Sequence, residues 1–187
     1  MAGVDEAGRG PLAGPVVAAA VVFHPGQTFP GLNDSKKLTR ARRELLHAKI
    51  TGGGCLAWAF AVVDAGEIDR MNILRATHCA MARALQGLDR MPDHAIVDGL
   101  PVTGLSVPHT AVVDGDALVA SVAAAGIIAK VERDRLMHQA DALYPDYGFA
   151  RHKGYATREH LDKLRVYGPC PIHRRSFAPV AQCSFPF

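Results

Sequence analysis

The sequence predicts an α/β fold: a mixed sheet flanked by helices, with a small basic helical region at its C-terminal end. Two runs that read as β-strands come first as a pair, Val4 to Gly8 and Val16 to Phe23. Later apolar runs alternate with stretches of helical period, the pattern of a sheet covered by helices. Glycine and proline punctuate the joins, as at Pro25-Gly26 and Pro30-Gly31. At 187 residues, 49% of them apolar, the chain has enough apolar side chains for one substantial core. We read residues 1–187 as a single domain, with residues from about 147 to 187 as the basic helical subregion.

The remaining elements follow in order. Thr39 is placed to cap a helix to about Ile50, with Leu45 and Leu46 facing the core, and Gly52-Gly53-Gly54 ends it. Cys55 to Val63 reads as a third strand. Asp64 caps a short helical turn, and Asn72 starts an amphipathic helix in which Ile73, Ala76, Ala80, Met81, Ala84, Leu85 and Leu88 keep the helical period. His94 to Val97 and His109 to Val113 are short strands that end in acid. A long helix runs from about Val119 to Leu143 and is stopped by Pro145. The last helix starts near Thr157 and closes at Gly168.

The net charge is only +3, but residues 34–49 carry six Lys/Arg against two acids and residues 147–187 seven against two. The rest of the chain is therefore acidic. Basic surfaces around an acidic centre suit a polyanion held over a cation site, although either stretch alone also reads as a solvated helix face. Cys55, Cys79, Cys170 and Cys183 form no CxxC pair and are expected as reduced thiols. Asp5 and Glu6 stand where a secretory signal needs basic residues, and the apolar run Pro11–Phe23 is too short to cross a bilayer. The expectation is a cytoplasmic protein without membrane contact, monomeric in the absence of a coiled coil or exposed apolar helix face.

Three strand runs end in carboxylates: Val4-Asp5-Glu6, Ile96-Val97-Asp98-Gly99 and Val112-Val113-Asp114-Gly115-Asp116. If these strands are neighbours, the acids converge, and hard oxygen donors of this kind suit Mg²⁺ or Mn²⁺. Two such ions about 4 Å apart stabilise both the attacking and the leaving oxygen of a phosphodiester. Asp98-Gly99 and Asp114-Gly115 taken singly are ordinary turn signals; the set of three favours a site. Adjacent strand residues point to opposite faces, so Asp5 and Glu6 reach one ion only through a bulge or through the Glu6 carbonyl, and both routes stay open. There is no HExxH, no His/Cys metal spacing, no GxSxG and no Walker-type loop. His152 and His173, in basic company, read equally as phosphate contacts or as surface or capping residues.

Six blocks carry a resemblance: Val-Asp-Glu-Ala-Gly-Arg-Gly-Pro (4–11), Asn-Asp-Ser-Lys-Lys-Leu (33–38), Ile-Val-Asp-Gly (96–99), Ile-Ile-Ala-Lys-Val-Glu-Arg-Asp (127–134), Tyr-Gly-Phe-Ala-Arg-His-Lys-Gly-Tyr (147–155) and His-Arg-Arg-Ser-Phe (173–177). In this order, and over almost the whole chain, they resemble ribonuclease HII. The resemblance implies a ribonuclease H-like fold with a small helical C-terminal region. It implies cleavage of the RNA strand of RNA–DNA hybrids and nicking on the 5′ side of single ribonucleotides in duplex DNA, leaving 5′-phosphate and 3′-hydroxyl ends. Carried over by motif, Asp5, Glu6, Asp98 and Asp116 are the catalytic acids and the ligands of Mn²⁺ or Mg²⁺, with two ions when substrate is bound. Gly8, Arg9 and Gly10 read the ribose 2′-hydroxyl, Tyr155 packs on the sugar of the following deoxynucleotide, and Lys36 contacts phosphate. The 2′-hydroxyl distinguishes RNA from DNA, and glycines let main-chain groups approach it.

Two departures stand out. The family's usual Lys-Gly-Asp before the long helix is Asp114-Gly115-Asp116 here, and its Ser-Ala-Ala-Ser is Ala123-Ala124-Ala125-Gly126. The second removes two hydroxyls and places glycine inside a helix at a cost of about 1 kcal/mol relative to alanine. These departures motivate an alternative, a catalytically impaired hybrid-binding protein on the same scaffold, against which stands the retention of all four carboxylates. A different two-metal nuclease, such as a DNA resolvase, shares the acids but does not need Gly8-Arg9-Gly10 and Tyr155. The tail Gln182-Cys-Ser-Phe-Pro-Phe187 resembles peptides that dock on replication sliding clamps; its other reading is a tail packing its phenylalanines on its own domain.

Overall fold

The computed structural model describes residues 1–27, 29–32 and 34–183, and every side chain among them except that of Lys36. Five strands, β1 (Ala2–Ala7), β2 (Val16–Val22), β3 (Ala57–Val63), β4 (Ala95–Asp98) and β5 (His109–Val112), form one sheet in the order β3-β2-β1-β4-β5. β1, β2 and β3 are joined antiparallel; β4 and β5 run parallel to β1. Helices α1 (Arg40–Lys49), α2 (Ala65–Met71), α3 (Ile73–Gln86), α4 (Gly115–Leu118), α5 (Ala120–Leu143), α6 (Phe149–His152), α7 (Arg158–Tyr167) and α8 (Ala178–Gln182) complete the chain. No helix among the described residues is long and apolar enough to cross a membrane.

The strands alternate as their sequences require. On one face Val4, Val16, Ala18 and Ala20 pack with Ala76, Ala80, Met81 and Leu85 of α3. On the other, Val17, Ala19 and Val21 meet Ala124, Ile127, Ile128 and Val131 of α5, with Leu46 and Ile50 beside them. The expected caps are present. Thr39 accepts the Arg42 N–H, Asp64 forms a capping box with Glu67, and Asn72 accepts the Arg75 N–H. The four cysteines are free.

Several expectations are corrected. Leu45 is 47% exposed; only Leu46 of that pair reaches the core. The three glycines do not simply stop α1: the chain continues as a π-type turn over Ile50–Gly54 and leaves helical geometry at Gly52 and Gly53. The helix closing at Gly168 is not the last, because α8 follows, and α4 and α6 are short helices that leave no periodic trace in the sequence. The basic C-terminal stretch is not wholly surface: Arg174 is fully buried, Arg151 pairs with Glu159, and Arg158 and Arg165 both pair with Asp162.

The C-terminal region is tied to the segment after β1 by main-chain bonds. Leu12 N–H donates to Gly154 O (2.8 Å), Gly14 N–H to Ile172 O (2.8 Å) and Arg174 N–H to Leu12 O (2.9 Å). Beneath it lies a histidine chain whose direction is fixed at one end. The Tyr155 carbonyl can only accept, so His160 Nδ1 donates to it (2.9 Å). His160 Nε2 then accepts from His173 Nε2 (3.0 Å), and His173 Nδ1 accepts from the Cys170 main-chain N–H (3.0 Å). Both rings are thus neutral. Burial, and then the neighbouring His160, pushes His173 down to about 4. His152 and His173, considered above as phosphate contacts, are both buried in this packing.

A histidine held neutral by the fold stabilises it above the ordinary histidine range, and that stability is lost as pH falls toward the folded value. Chemical denaturation is therefore expected to show stability falling from about pH 6.5 toward pH 4, with up to about 1.4 kcal/mol per pH unit from His173. A flat profile over that window would contradict the neutral chain.

Candidate active site

Asp5 and Asp98 come together because β1 and β4 are parallel neighbours. Val4 is in register with Val97, so the two aspartates follow side by side at the carboxyl ends of their strands. Ligands of α/β sheets bind at such ends. Asp5 points to the face covered by α5 and is only 6% exposed. The Glu6 main-chain N–H donates to its Oδ1 at 2.7 Å. Asp98 ends β4 and accepts the Gly115 N–H at 2.8 Å, which anchors the start of α4. Asp116 lies in the first turn of α4 and lines a cleft of about 380 Å³ with Phe29, Leu32, Leu118 and Ala123. Asp114, the departure from the family pattern, is exposed and left-handed (φ 56°).

Burial first, and then the charges of Glu6, Asp98 and Asp116, push the Asp5 carboxyl well above the usual carboxylate range. The four acids therefore share one electrostatic neighbourhood. Glu6, on the opposite strand face, turns its carboxylate to Arg9 (Nη1 to Oε1, 3.4 Å). Among the described residues, no three His, Cys, Asp or Glu side chains stand as a ready group for a metal ion.

Gly126 leaves room on α5 that Asp5 takes up. A Cβ at that position would overlap Asp5 Oδ2, so the carboxylate occupies the room that a side chain on α5 would need. The helix gives up about 1 kcal/mol of propensity and lets Asp5 lie against its main chain.

The second group forms immediately after β1. Gly8 (φ +97°) turns the chain in a conformation that side chains rarely adopt, and a Cβ there would overlap the Arg133 guanidinium. Arg9 and Gly10 are exposed. Tyr155, 46% exposed, presents its ring beside Gly10, where an added Cβ would lie 3.8 Å from Tyr155 Cε1. The structure thus brings Gly8, Arg9, Gly10 and Tyr155 to one ridge, one turn of chain from Asp5 and Glu6. Lys36 has its backbone in a 3₁₀ turn over Ser35–Lys37, and its side chain lies outside the described residues. Sequence reasoning missed Arg133 and Arg174, which hold this ridge from below. Both stand inside quoted blocks, but nothing in a charge count distinguishes a buried cation from a surface one.

Comparison with known proteins fits this geometry. The model of the family described as ribonuclease HII matches residues 2–180. A ribonuclease HII of Desulfitobacterium hafniense is 54% identical over 182 residues, covering 97% of this chain and 70% of that protein. One of an Acidovorax species is 58% identical over 183 residues, covering 97% and 87%. Among solved structures, ribonuclease H2 from Pyrococcus horikoshii superposes with a TM-score of 0.83 at 30% identity, covering 97% of this chain and 95% of that one. The ribonuclease HII of an Archaeoglobus fulgidus complex with PCNA gives 0.79 at 27%, covering 100% and 97%. A Bst ribonuclease HIII structure in complex with Mn²⁺ gives 0.75 at 19%, covering 97% and 68%, and shares the fold. With a mixed five-stranded sheet of ribonuclease H type and a family match over nearly its whole length, the chain belongs to the ribonuclease HII family and is a ribonuclease H enzyme.

Proposed function

We propose that the protein cleaves the RNA strand of RNA–DNA hybrids and nicks 5′ of single ribonucleotides embedded in duplex DNA, leaving 5′-phosphate and 3′-hydroxyl ends. The observation that carries this reading is the adjacency of two groups with different chemistry. The carboxylates of Asp5, Glu6, Asp98 and Asp116, whose charges all bear on Asp5, stand next to a glycine-flanked ridge with an exposed aromatic ring. The first suits hydrolysis and the second suits recognition of a sugar.

The donor set fits divalent ions. Its ligands are all hard oxygens, and Asp5 is buried among like charges, a situation that a cation relieves. Two Mn²⁺ or Mg²⁺ ions held by Asp5, Glu6, Asp98 and Asp116 would supply the charge for attack by water and for departure of the 3′-oxygen. The protein's own groups do the rest. The Gly115 N–H holds Asp98 in place, and α5 excludes water from one side of Asp5. Gly8, Arg9 and Gly10 reach the 2′-hydroxyl, and Tyr155 stacks on the next sugar. Lys36 meets phosphate as a point charge. The Mn²⁺ complex of the ribonuclease HIII structure and the PCNA complex of the Archaeoglobus relative support a divalent ion and a sliding-clamp partner for this chain. The tail that resembles clamp-docking peptides lies, from residue 184 onward, outside the described residues.

The direct test is cleavage of a duplex carrying one ribonucleotide, beside the same duplex in all-DNA form, in Mg²⁺ and in Mn²⁺. A nick 5′ of the ribonucleotide and none in the all-DNA duplex is expected; equal cleavage of both, or of neither, overturns the reading. Asp98→Asn is expected to lower kcat by about 100-fold or more while hybrid binding persists, and full activity would rule out the assigned acids. Gly126→Ala forces Asp5 to swing away, so the half-saturating Mn²⁺ concentration for cleavage is expected to rise by roughly tenfold. Its melting temperature should change little, because the helix gains about what the displaced carboxylate loses.

A further inference from the structure

Arg174 is fully buried beneath the loop that follows β1. Its Nη2 donates to the Gly8 carbonyl at 2.6 Å, Nη1 to the Arg9 carbonyl at 2.9 Å and Nε to the Gly14 carbonyl at 2.9 Å. The Phe177 ring covers the guanidinium at 5.1 Å. None of these partners is a carboxylate. Arg133, 1% exposed on α5, does the same next door: Nε donates to Pro15 O at 2.9 Å, and Nη2 to Ala13 O at 3.3 Å and Lys153 O at 3.0 Å. Burial, and then the neighbouring Arg133, lowers Arg174 to about 9. Two adjacent cations buried on main-chain carbonyls are a costly way to stabilise a loop, since neither has a carboxylate among its hydrogen-bond partners.

Their effect on loop geometry is specific. A trans peptide is planar, and its C=O and N–H point in opposite directions. With the Gly8 carbonyl held inward by Arg174, the Arg9 N–H points outward. With the Arg9 carbonyl held inward, the Gly10 N–H points outward as well. Arg9 and Gly10 are exposed, so two successive N–H groups face solvent beside the Tyr155 ring. A pair of donors of this kind suits a small oxygen acceptor. Arg133 links the same loop to the Lys153 carbonyl and lies 5.9 Å from the Tyr155 ring, fixing the distance between the donors and the aromatic.

We propose that Arg174 is a positioning residue for ribonucleotide discrimination: it clamps the Gly8 and Arg9 carbonyls inward so that the Arg9 and Gly10 N–H groups meet the 2′-oxygen of the substrate. The proposal rests on the reading that this loop recognises the 2′-hydroxyl. A deoxyribose offers no acceptor there, so those two donors are desolvated without a partner, which penalises DNA. Lysine cannot replace Arg174, because one ammonium cannot span three carbonyls in the plane that a guanidinium supplies.

The test compares dissociation constants by fluorescence anisotropy at one salt concentration in Ca²⁺, with a gel to verify that strands stay intact. The probes are a duplex with one ribonucleotide and the same duplex in all-DNA form. The wild-type protein is expected to prefer the ribonucleotide duplex. Arg174→Lys is expected to lower that preference by about tenfold while binding to all-DNA duplex is retained. Phe177→Leu, which loosens the guanidinium without removing it, is expected to lower it about two- to threefold, and it decides the matter if Arg174→Lys does not fold. Folded variants that keep the wild-type preference, or that weaken both duplexes equally, overturn the positioning role and leave the reading of the loop standing. A wild-type protein without preference overturns that reading, and the positioning role with it.

Discussion

Helix α5 lies with its main chain directly against strand β1, and the two halves of the site follow from that approach. Gly3 makes it possible at one end, since a Cβ there would overlap the main chain of Ser121 and Val122. Gly126 makes it possible at the next level, where Asp5 lies against the helix. Seven residues further along α5, Arg133 reaches under Gly8, which again leaves no room for a side chain. Positions 122, 126 and 133 fall on one stripe of an α-helix, so one rigid element sets the depth of the acid and the height of the adjoining loop.

The electrostatics divide along the same line. On the sheet side Asp5 is buried with Glu6, Asp98 and Asp116 around it and holds its proton more tightly than an ordinary aspartate. On the loop side two guanidiniums are buried without carboxylate partners, satisfied by carbonyls of the Gly8–Pro15 segment and of Lys153. An acidic centre that calls for cations thus sits one turn of chain from a loop with positive charge beneath it. Under the proposed function such a contrast would divide the substrate, with phosphate and its ions at the acids and a neutral hydroxyl at the loop amides. The charge asymmetry of the sequence points the same way, though one of its cations is fully buried rather than a surface contact.

Much of this was legible in the sequence where the signal is local. The apolar runs of β1 to β5 carry their own composition, and Thr39, Asp64 and Asn72 announce their helices because capping is a contact between near neighbours. The acid-ended strands were legible for the same reason. Their convergence was not, because it depends on β4 pairing with β1 across more than 90 intervening residues. Short helices such as α4 and α8 leave no period to read. Gly126 was visible only as a departure from the family pattern. The side chain that fills the room it leaves is 121 positions away in the chain, a contact that no local pattern announces. His152 and His173 looked like phosphate contacts because basic neighbours in sequence say nothing about burial.

The account turns on the carboxylates of β1, β4 and α4 acting as one cation site. Anomalous scattering from crystals of the protein soaked in Mn²⁺ tests that claim most directly. The account predicts density bounded by Asp5, Asp98 and Asp116; manganese bound elsewhere, with none beside Asp5, would contradict it.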